Sequence, residues 1–157
     1  MAVDSLGGVS KGISLPWPKN KRDLNWFKQN TLNQVVIMGR KTWEDSMMPK
    51  PLKFRVNVLV TKQNTSIFPG ADHYIKGNLI DEIKYLEKKY LDKDIFIIGG
   101  PEIINSTISL VKEFYLTRIY GNHNCDKFLN LNLIENNMRM IKKITVDKSC
   151  HFEIWKQ

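Results

Sequence analysis

The chain has 157 residues, 42% of them hydrophobic and 25% charged, which is the size and make-up of one globular domain with a substantial core. Its net charge of +8 admits nucleic acid or a polyanionic small ligand, but the basic residues are scattered and no aromatic–basic alternation marks an RNA-binding strand. No apolar run is long enough to span a bilayer, the opening MAVDSLGGVSKG lacks the plan of a signal peptide, and Cys125 and Cys150 sit in no CxxC or His-rich cluster, so the expectation is a cytoplasmic protein with two free thiols and no metal.

Ala2 and Val3 are barely a strand. Gly7, Gly8, Gly12 and Pro16 then mark a long mobile loop. The stretch LPWPKNKRDLNWFKQNT opens with a Pro-Trp-Pro turn and predicts a helix over 21–30. Asp23 and Phe27 are four apart and share a face of that helix, with Leu24 beside Phe27. A carboxylate is thereby set among apolar side chains, where it must be hydrogen-bonded or keep its proton. A proton-handling acid in an apolar pocket is one reading. The plainer reading, preferred on this helix alone, is a first-turn acid favoured by the helix dipole.

Residues 35–38 are a continuous apolar run, which suits a strand buried on both faces. The run ends at Gly39-Arg40-Lys41-Thr42, where a helix should begin. Strand, glycine and helix N-terminus make a ready anion site, and Arg40, Lys41 and Thr42 add donors. Such junctions are common in α/β proteins. A loop rich in Pro, Met and Lys covers 45–54. Arg55 leads a strand over 56–60 that ends at Thr61-Lys62. A turn at 68–71, a short strand over 73–76 and a helix over 79–90 follow. On that helix Leu79, Ile83 and Leu86 face the core.

DIFII, residues 94–98, is another buried strand, followed at once by Gly99-Gly100-Pro101-Glu102 and a helix over 102–108. Paired glycines at such a place allow close backbone approach to a pyrophosphate, or simply make a tight turn. FYLTRI is a strand over 114–119. Its polar member, Thr117, is most simply a β-branched strand residue. Residues 141–146 and 151–155 read as a closing antiparallel hairpin. The sequence has no Walker loop and no Ser-His-Asp order, and His73, His123 and His151 are isolated.

Strands alternating with helices, with an antiparallel pair at the end, give a three-layer α/β domain over 1–157 with a mostly parallel sheet. The glycine junctions at Gly39 and Gly99 point to a ligand with at least two phosphates across the strand ends. Composition and spacing stop at a nucleotide-cofactor enzyme using one acid.

The segments LPWPKNKRDLNWFKQNT, VVIMGRKTWE, PLKFRVNVLVTK, IFIIGGPEI and FYLTRI, in this order and with the closing CHFEIW, closely resemble dihydrofolate reductase over nearly the whole chain. The resemblance implies that family's three-layer α/β fold, with a mostly parallel central sheet and a C-terminal antiparallel hairpin. It also implies NADPH as cofactor and reduction of 7,8-dihydrofolate to tetrahydrofolate, in support of thymidylate and purine synthesis. Asp23 matches the family's active-site acid, Thr117 the threonine that hydrogen-bonds it, and Trp17 the tryptophan that holds a site water. Leu24, Phe27, Met48 and Leu52 would wall the pterin and benzoyl rings, with Met48 rather than Met47 taken for that role. Arg55 would clamp the glutamate α-carboxylate, and Lys28 would lie near the same tail.

On the cofactor side, Gly39, Arg40, Lys41 and Thr42 match the phosphate junction, and Thr61 and Lys62 the strand end that holds the 2′-phosphate. Ile98, Gly99, Gly100, Pro101, Glu102, Ile103 and Ile104 match the cis Gly-Gly segment beside the nicotinamide and pyrophosphate. Ala2 would belong to the strand whose carbonyls touch the nicotinamide. Gly8 and Ser14 bound the loop that closes over it. Two departures stand out. Ile104 replaces a tyrosine often found there. The chain begins at MAVD, so most of a central first strand is truncated. A misassigned start, a segment or second chain filling the slot, or loss of efficient catalysis would each account for that. The expected partner is dihydrofolate, with no membrane and no nucleic acid. The chain is expected to be a monomer, or a dimer where the strand is supplied in trans. The competing functions are a related pterin or pyrimidine reductase, a folate- or NADP-binding structural protein without turnover, and a nucleic-acid binder.

Overall fold

The computed structural model describes residues 1–12 and 14–157. Ile13, within the expected mobile loop, lies outside the described residues. In chain order the elements are β1 (Ala2–Val3), β2 (Gly8–Ser10), α1 (Lys21–Thr31), β3 (Val35–Gly39), α2 (Arg40–Glu44), β4 (Val56–Val60), β5 (His73–Ile75) and α3 (Leu79–Lys89). Then come β6 (Ile95–Gly99), α4 (Pro101–Thr107), β7 (Glu113–Ile119), β8 (Lys127–Phe128), α5 (Leu131–Asn137), β9 (Arg139–Thr145) and β10 (Cys150–Lys156). They form two compact units, Met1–Trp26 with Ile104–Gln157, and Phe27–Ile103.

The second unit holds a four-stranded sheet in the order β5-β4-β3-β6, with every pair parallel. Its apolar strands are explained by cover on both faces. Val35, Ile37 and Val58 point one way, into a cluster with Ile75 and with Ile83 and Leu86 of α3. Val36, Met38 and Leu59 point the other way, into a cluster with Trp43, Leu52 and Phe68. Alternation by twos thus puts an apolar residue on each face, and the run reads as continuous. β3 is central, and β6 is an edge strand of this sheet.

The first unit holds a sheet in the order β1-β7-β10-β9. β1 is parallel to β7, with Ala2 opposite Thr117, while β7, β10 and β9 are antiparallel. β9 begins two residues before the expected strand and stops one residue short of its expected end, and β10 is one residue longer at each end. β2 and β8 form a separate two-stranded ribbon. Part of the expected mobile loop is therefore strand, and the Gly12 N–H beyond it donates to Asp126 Oδ2 at 2.9 Å. α5, LNLIENN, went unrecognised because Ile134 is its one buried residue.

Asp4 closes the turn after β1. Its carboxylate, 1% exposed, accepts from the backbone N–H of Leu6, Gly8 and His123. Burial pushes its pKa up, but the His123, Gly8 and Leu6 N–H groups and the Cys125 thiol outweigh it, and the net shift is downward. A carboxyl lowered on folding adds stability that is full above its unfolded value of about 3.9 and is lost as pH falls through the folded value. Asp4→Asn is therefore expected to lower the melting temperature at pH 6 and to flatten its fall between pH 4 and pH 2. An unchanged acid limb in the variant would refute this assignment.

Candidate active site

In the first unit the site is built on one ladder and one helix. α1 starts after Asn20, whose side-chain oxygen accepts from the N–H of Arg22 and Asp23 and caps the helix. The cap fixes the first turn and so the direction of Asp23. From β7, Thr117 Oγ1 donates to Asp23 Oδ1 at 2.6 Å. Thr117 is 1% exposed, whereas Asp23 is half-buried. The fold therefore holds one oxygen of the acid. Thr117 is more than a β-branched strand residue, since its hydroxyl is spent on Asp23.

Trp17 is 7% exposed, packs with Ile119, Cys150 and Phe152, and meets the His123 ring edge-on at 5.6 Å. Leu24 is 38% exposed, so it is available to a ligand rather than spent on the core. Ala2 is half-buried in β1, opposite Thr117. Gly8 is buried, and a Cβ there would meet the Cys125 side chain at 2.4 Å, so this position requires glycine. Ser14 is half-buried and exchanges backbone bonds with Lys11. Ile104 is 3% exposed, which places it in the core of this unit.

In the second unit Arg55 is half-buried against the end of α1. Its Nε and Nη2 donate to Thr31 Oγ1 at 3.3 and 3.2 Å, Nη2 to Lys28 O at 3.4 Å, and Nη1 to Lys53 O at 2.9 Å. Its Cζ lies 6.0 Å from the centre of the Phe27 ring. Burial draws the guanidinium pKa below its usual value. Thr31 in turn donates to Phe27 O at 2.8 Å. Phe27, Met48 and Leu52 belong to one apolar cluster, while Met47 is 60% exposed. Lys28 is exposed on α1.

The same unit carries the glycine junctions. Gly39 ends β3 in extended geometry and precedes α2 with no side-chain cap, so the first N–H groups of α2 are unclaimed by one. Arg40 is drawn aside, its Nη1 donating to Glu44 Oε2 at 2.6 Å. Lys41 is exposed and Thr42 half-buried. Gly99 and Gly100 are joined by a cis peptide bond. Gly99 has φ +153°, and a Cβ there would meet Thr42 Oγ1 at 2.9 Å. Ile98 packs into the sheet cluster, Pro101 opens α4, and Glu102 is exposed in its first turn. The Ile103 N–H donates to Gly100 O at 3.1 Å. Thr61, 5% exposed, receives the Gln63 N–H at the end of β4, and Lys62 beside it is exposed.

These features fit a dinucleotide: backbone bared by glycine beside a threonine, an uncapped helix start, and exposed Lys41 and Lys62. Among the described residues no group of three His, Cys, Asp or Glu side chains could hold a metal ion, Cys125 and Cys150 are free, and no helix is long and apolar enough to cross a membrane. Asp126 and the Trp26–Phe152 pair went unnoticed in the sequence. Each depends on a partner more than 100 residues away, and no local pattern marks it.

A family model described as dihydrofolate reductase matches residues 1–154. Dihydrofolate reductase type 9 of Escherichia coli is 32% identical over 168 aligned positions, covering 99% of this chain and 89% of its own length. The bifunctional dihydrofolate reductase-thymidylate synthase of Paramecium tetraurelia is 35% identical over 85% of this chain, which spans 28% of that longer protein. Among solved structures, dihydrofolate reductase from Enterococcus faecalis complexed with NADP(H) and RAB-propyl superposes with a TM-score of 0.79 at 21% identity, covering 99% of this chain and 92% of that one. The fold and the sequence agree, and the chain belongs to the dihydrofolate reductase family, a family of NADPH-dependent oxidoreductases.

Proposed function

We propose that the chain reduces 7,8-dihydrofolate to 5,6,7,8-tetrahydrofolate at the expense of NADPH. The observation that carries this reading is the 2.6 Å bond from Thr117 to Asp23, which holds one oxygen of a half-buried carboxylate in place. NADPH, when bound, supplies the hydride that goes to the carbon of the pterin imine. The imine nitrogen takes a proton, so the C=N bond gains two electrons and two hydrogens and NADP⁺ is left. Asp23 binds the pterin amino group and ring N–H and supports proton delivery through water. Trp17 positions that water. Thr117 keeps the carboxylate from rotating away.

Leu24, Phe27, Met48 and Leu52 give the pterin and benzoyl rings an apolar wall, and Arg55 and Lys28 take the glutamate carboxylates. Gly39, Thr42, Gly99 and Gly100 offer backbone and hydroxyl groups to the pyrophosphate. Lys41, Thr61 and Lys62 meet the 2′-phosphate. Gly8 and Ser14 bound the segment that would exclude water on closing, and within it the Gly12 N–H donates to Asp126 Oδ2.

The test is the fall in NADPH absorbance on adding dihydrofolate. A rate that depends on both compounds supports the reading. Binding of both without turnover would replace it with a binding protein. The cofactor half has its own test in Gly99→Ala. The positive φ and the 2.9 Å approach to Thr42 make any side chain there strained, at a cost of about 1–3 kcal/mol. NADPH affinity is expected to fall about tenfold with a melting temperature lower by roughly 3–10 °C. Gly39→Ala is the milder control, since its Cβ meets the flexible end of Ile103. Equal losses from the two variants, read by calorimetric titration, would contradict a special role for Gly99.

A further inference from the structure

We propose that the stacked rings of Trp26 and Phe152 set where the Asp23 carboxylate stands, which makes both aromatic residues positioning residues for the reaction. This rests on the reductase reading above. Asp23 and Trp26 are three apart on α1 and so share a face. The Trp26 indole lies flat on the Phe152 ring, with centroids 4.1 Å apart and 5° between the planes. Tyr115 leans against Trp26 from the side at 5.8 Å.

Phe152 is no arbitrary neighbour. In the ladder of β10 and β7 it stands directly opposite Thr117, the residue that donates to Asp23. Helix α1 is therefore fastened to a single rung at two points, one polar at Asp23 and one aromatic at Trp26. The rung is packed, with Thr117 1% and Phe152 7% exposed. The start of α1 is also tied by Asn20 to Ser149 at 3.1 Å and by Arg22 to Asp147 at 2.9 Å, but both of these bonds lie on the exposed side of the helix. The flat ring contact one helical turn beyond Asp23 is the apolar anchor on the side that faces the sheet. The Asp23 carboxylate then has one position from which to meet a ligand. Catalytic geometry is sensitive at this scale, since a misplacement of about 1 Å can cost on the order of 100-fold in rate.

The test is single-turnover hydride transfer from NADPH to dihydrofolate in Phe152→Leu, Trp26→Leu and Trp26→Phe, each with and without Thr117→Val. NADPH affinity and melting temperature measure the folded fraction. Phe152→Leu and Trp26→Leu are expected to slow transfer about tenfold per folded molecule, with NADPH affinity within twofold. Trp26→Phe, which keeps a flat ring, should recover most of the rate. Adding Thr117→Val should lower the rate by less than the product of the separate effects, because both changes act through one carboxylate. Transfer at the unsubstituted rate per folded molecule, or effects that simply multiply, would overturn the proposal. Absence of any rate in the unsubstituted protein overturns the reductase reading instead. The carbon-13 carboxyl resonance of Asp23 then decides the positioning role: it moves in Phe152→Leu if the rings place the acid and stays if they do not.

Discussion

Replacing Asp23 with asparagine is expected to lower kcat/KM for dihydrofolate by about 100- to 10,000-fold, the range that one positioned proton-handling group contributes. Asparagine keeps the shape and an oxygen that can accept the Thr117 hydroxyl, so the 2.6 Å bond has a counterpart in the variant. What the proposed reaction would lose is the negative charge toward the pterin amino group and ring N–H. The loss should fall on the chemical step and on dihydrofolate binding together. NADPH affinity should stay within twofold, and melting temperature should change little, because Asp23 is half-buried and its bond to Thr117 has a counterpart in the variant. Single-turnover hydride transfer and calorimetric titration of NADPH separate these quantities. A rate within fivefold of the unsubstituted protein would show that Asp23 is only a helix-start acid, as its position in the first turn also permits.

Arg55→Leu is expected to raise KM for dihydrofolate about 10- to 150-fold, the equivalent of the roughly 1.5–3 kcal/mol of a hydrogen-bonded charged pair. kcat should stay within about twofold, because the glutamate carboxylate is equally bound before and during hydride transfer. The guanidinium is already oriented by Thr31 Oγ1 and the Lys28 and Lys53 carbonyls, so little freedom is left to lose on binding. Arg55→Lys should restore only part of the affinity, because an ammonium lacks the planar fork that grips a carboxylate. A substrate analogue that ends at the benzoyl group, with no glutamate, supplies the control. Its KM should be the same in Arg55→Leu as in the unsubstituted protein. Equal losses for both substrates would mean that Arg55 acts on the wall through Phe27, whose ring lies 6.0 Å from its Cζ.

Much of the fold was legible because the strands of the second unit are covered on both faces. Residues 35–38 had to be a buried parallel strand, and Val35, Val36, Ile37 and Met38 are indeed at most 1% exposed. β4 fell where its apolar run lies, and α3 declared itself through Ile83 and Leu86. The pieces that escaped notice are short and paired at long range. β2 and β8 have three and two residues, and neither carries a periodic pattern. The glycine junctions were visible as Gly39 and Gly99-Gly100. The positive φ of Gly99 and its closeness to Thr42 were not, since they depend on how α2 returns toward the end of β6.

By itself the sequence determined the alternation of strand and helix, the positions of the two glycine junctions, the candidate acid Asp23 and the family likeness. Local backbone preference and the spacing of apolar side chains act over a few residues, and a linear reading captures them. Tertiary structure alone decided that Thr117, 94 residues from Asp23, donates to it, and that Phe152 stands opposite Thr117 and under Trp26. It also turned Arg40 toward Glu44 and placed Ile104 in the core. The physical reason is register. A side chain's partner in a ladder is fixed by which strand lies beside it and by which residue stands opposite, and a slip of one residue would carry Thr117 to the other face of β7.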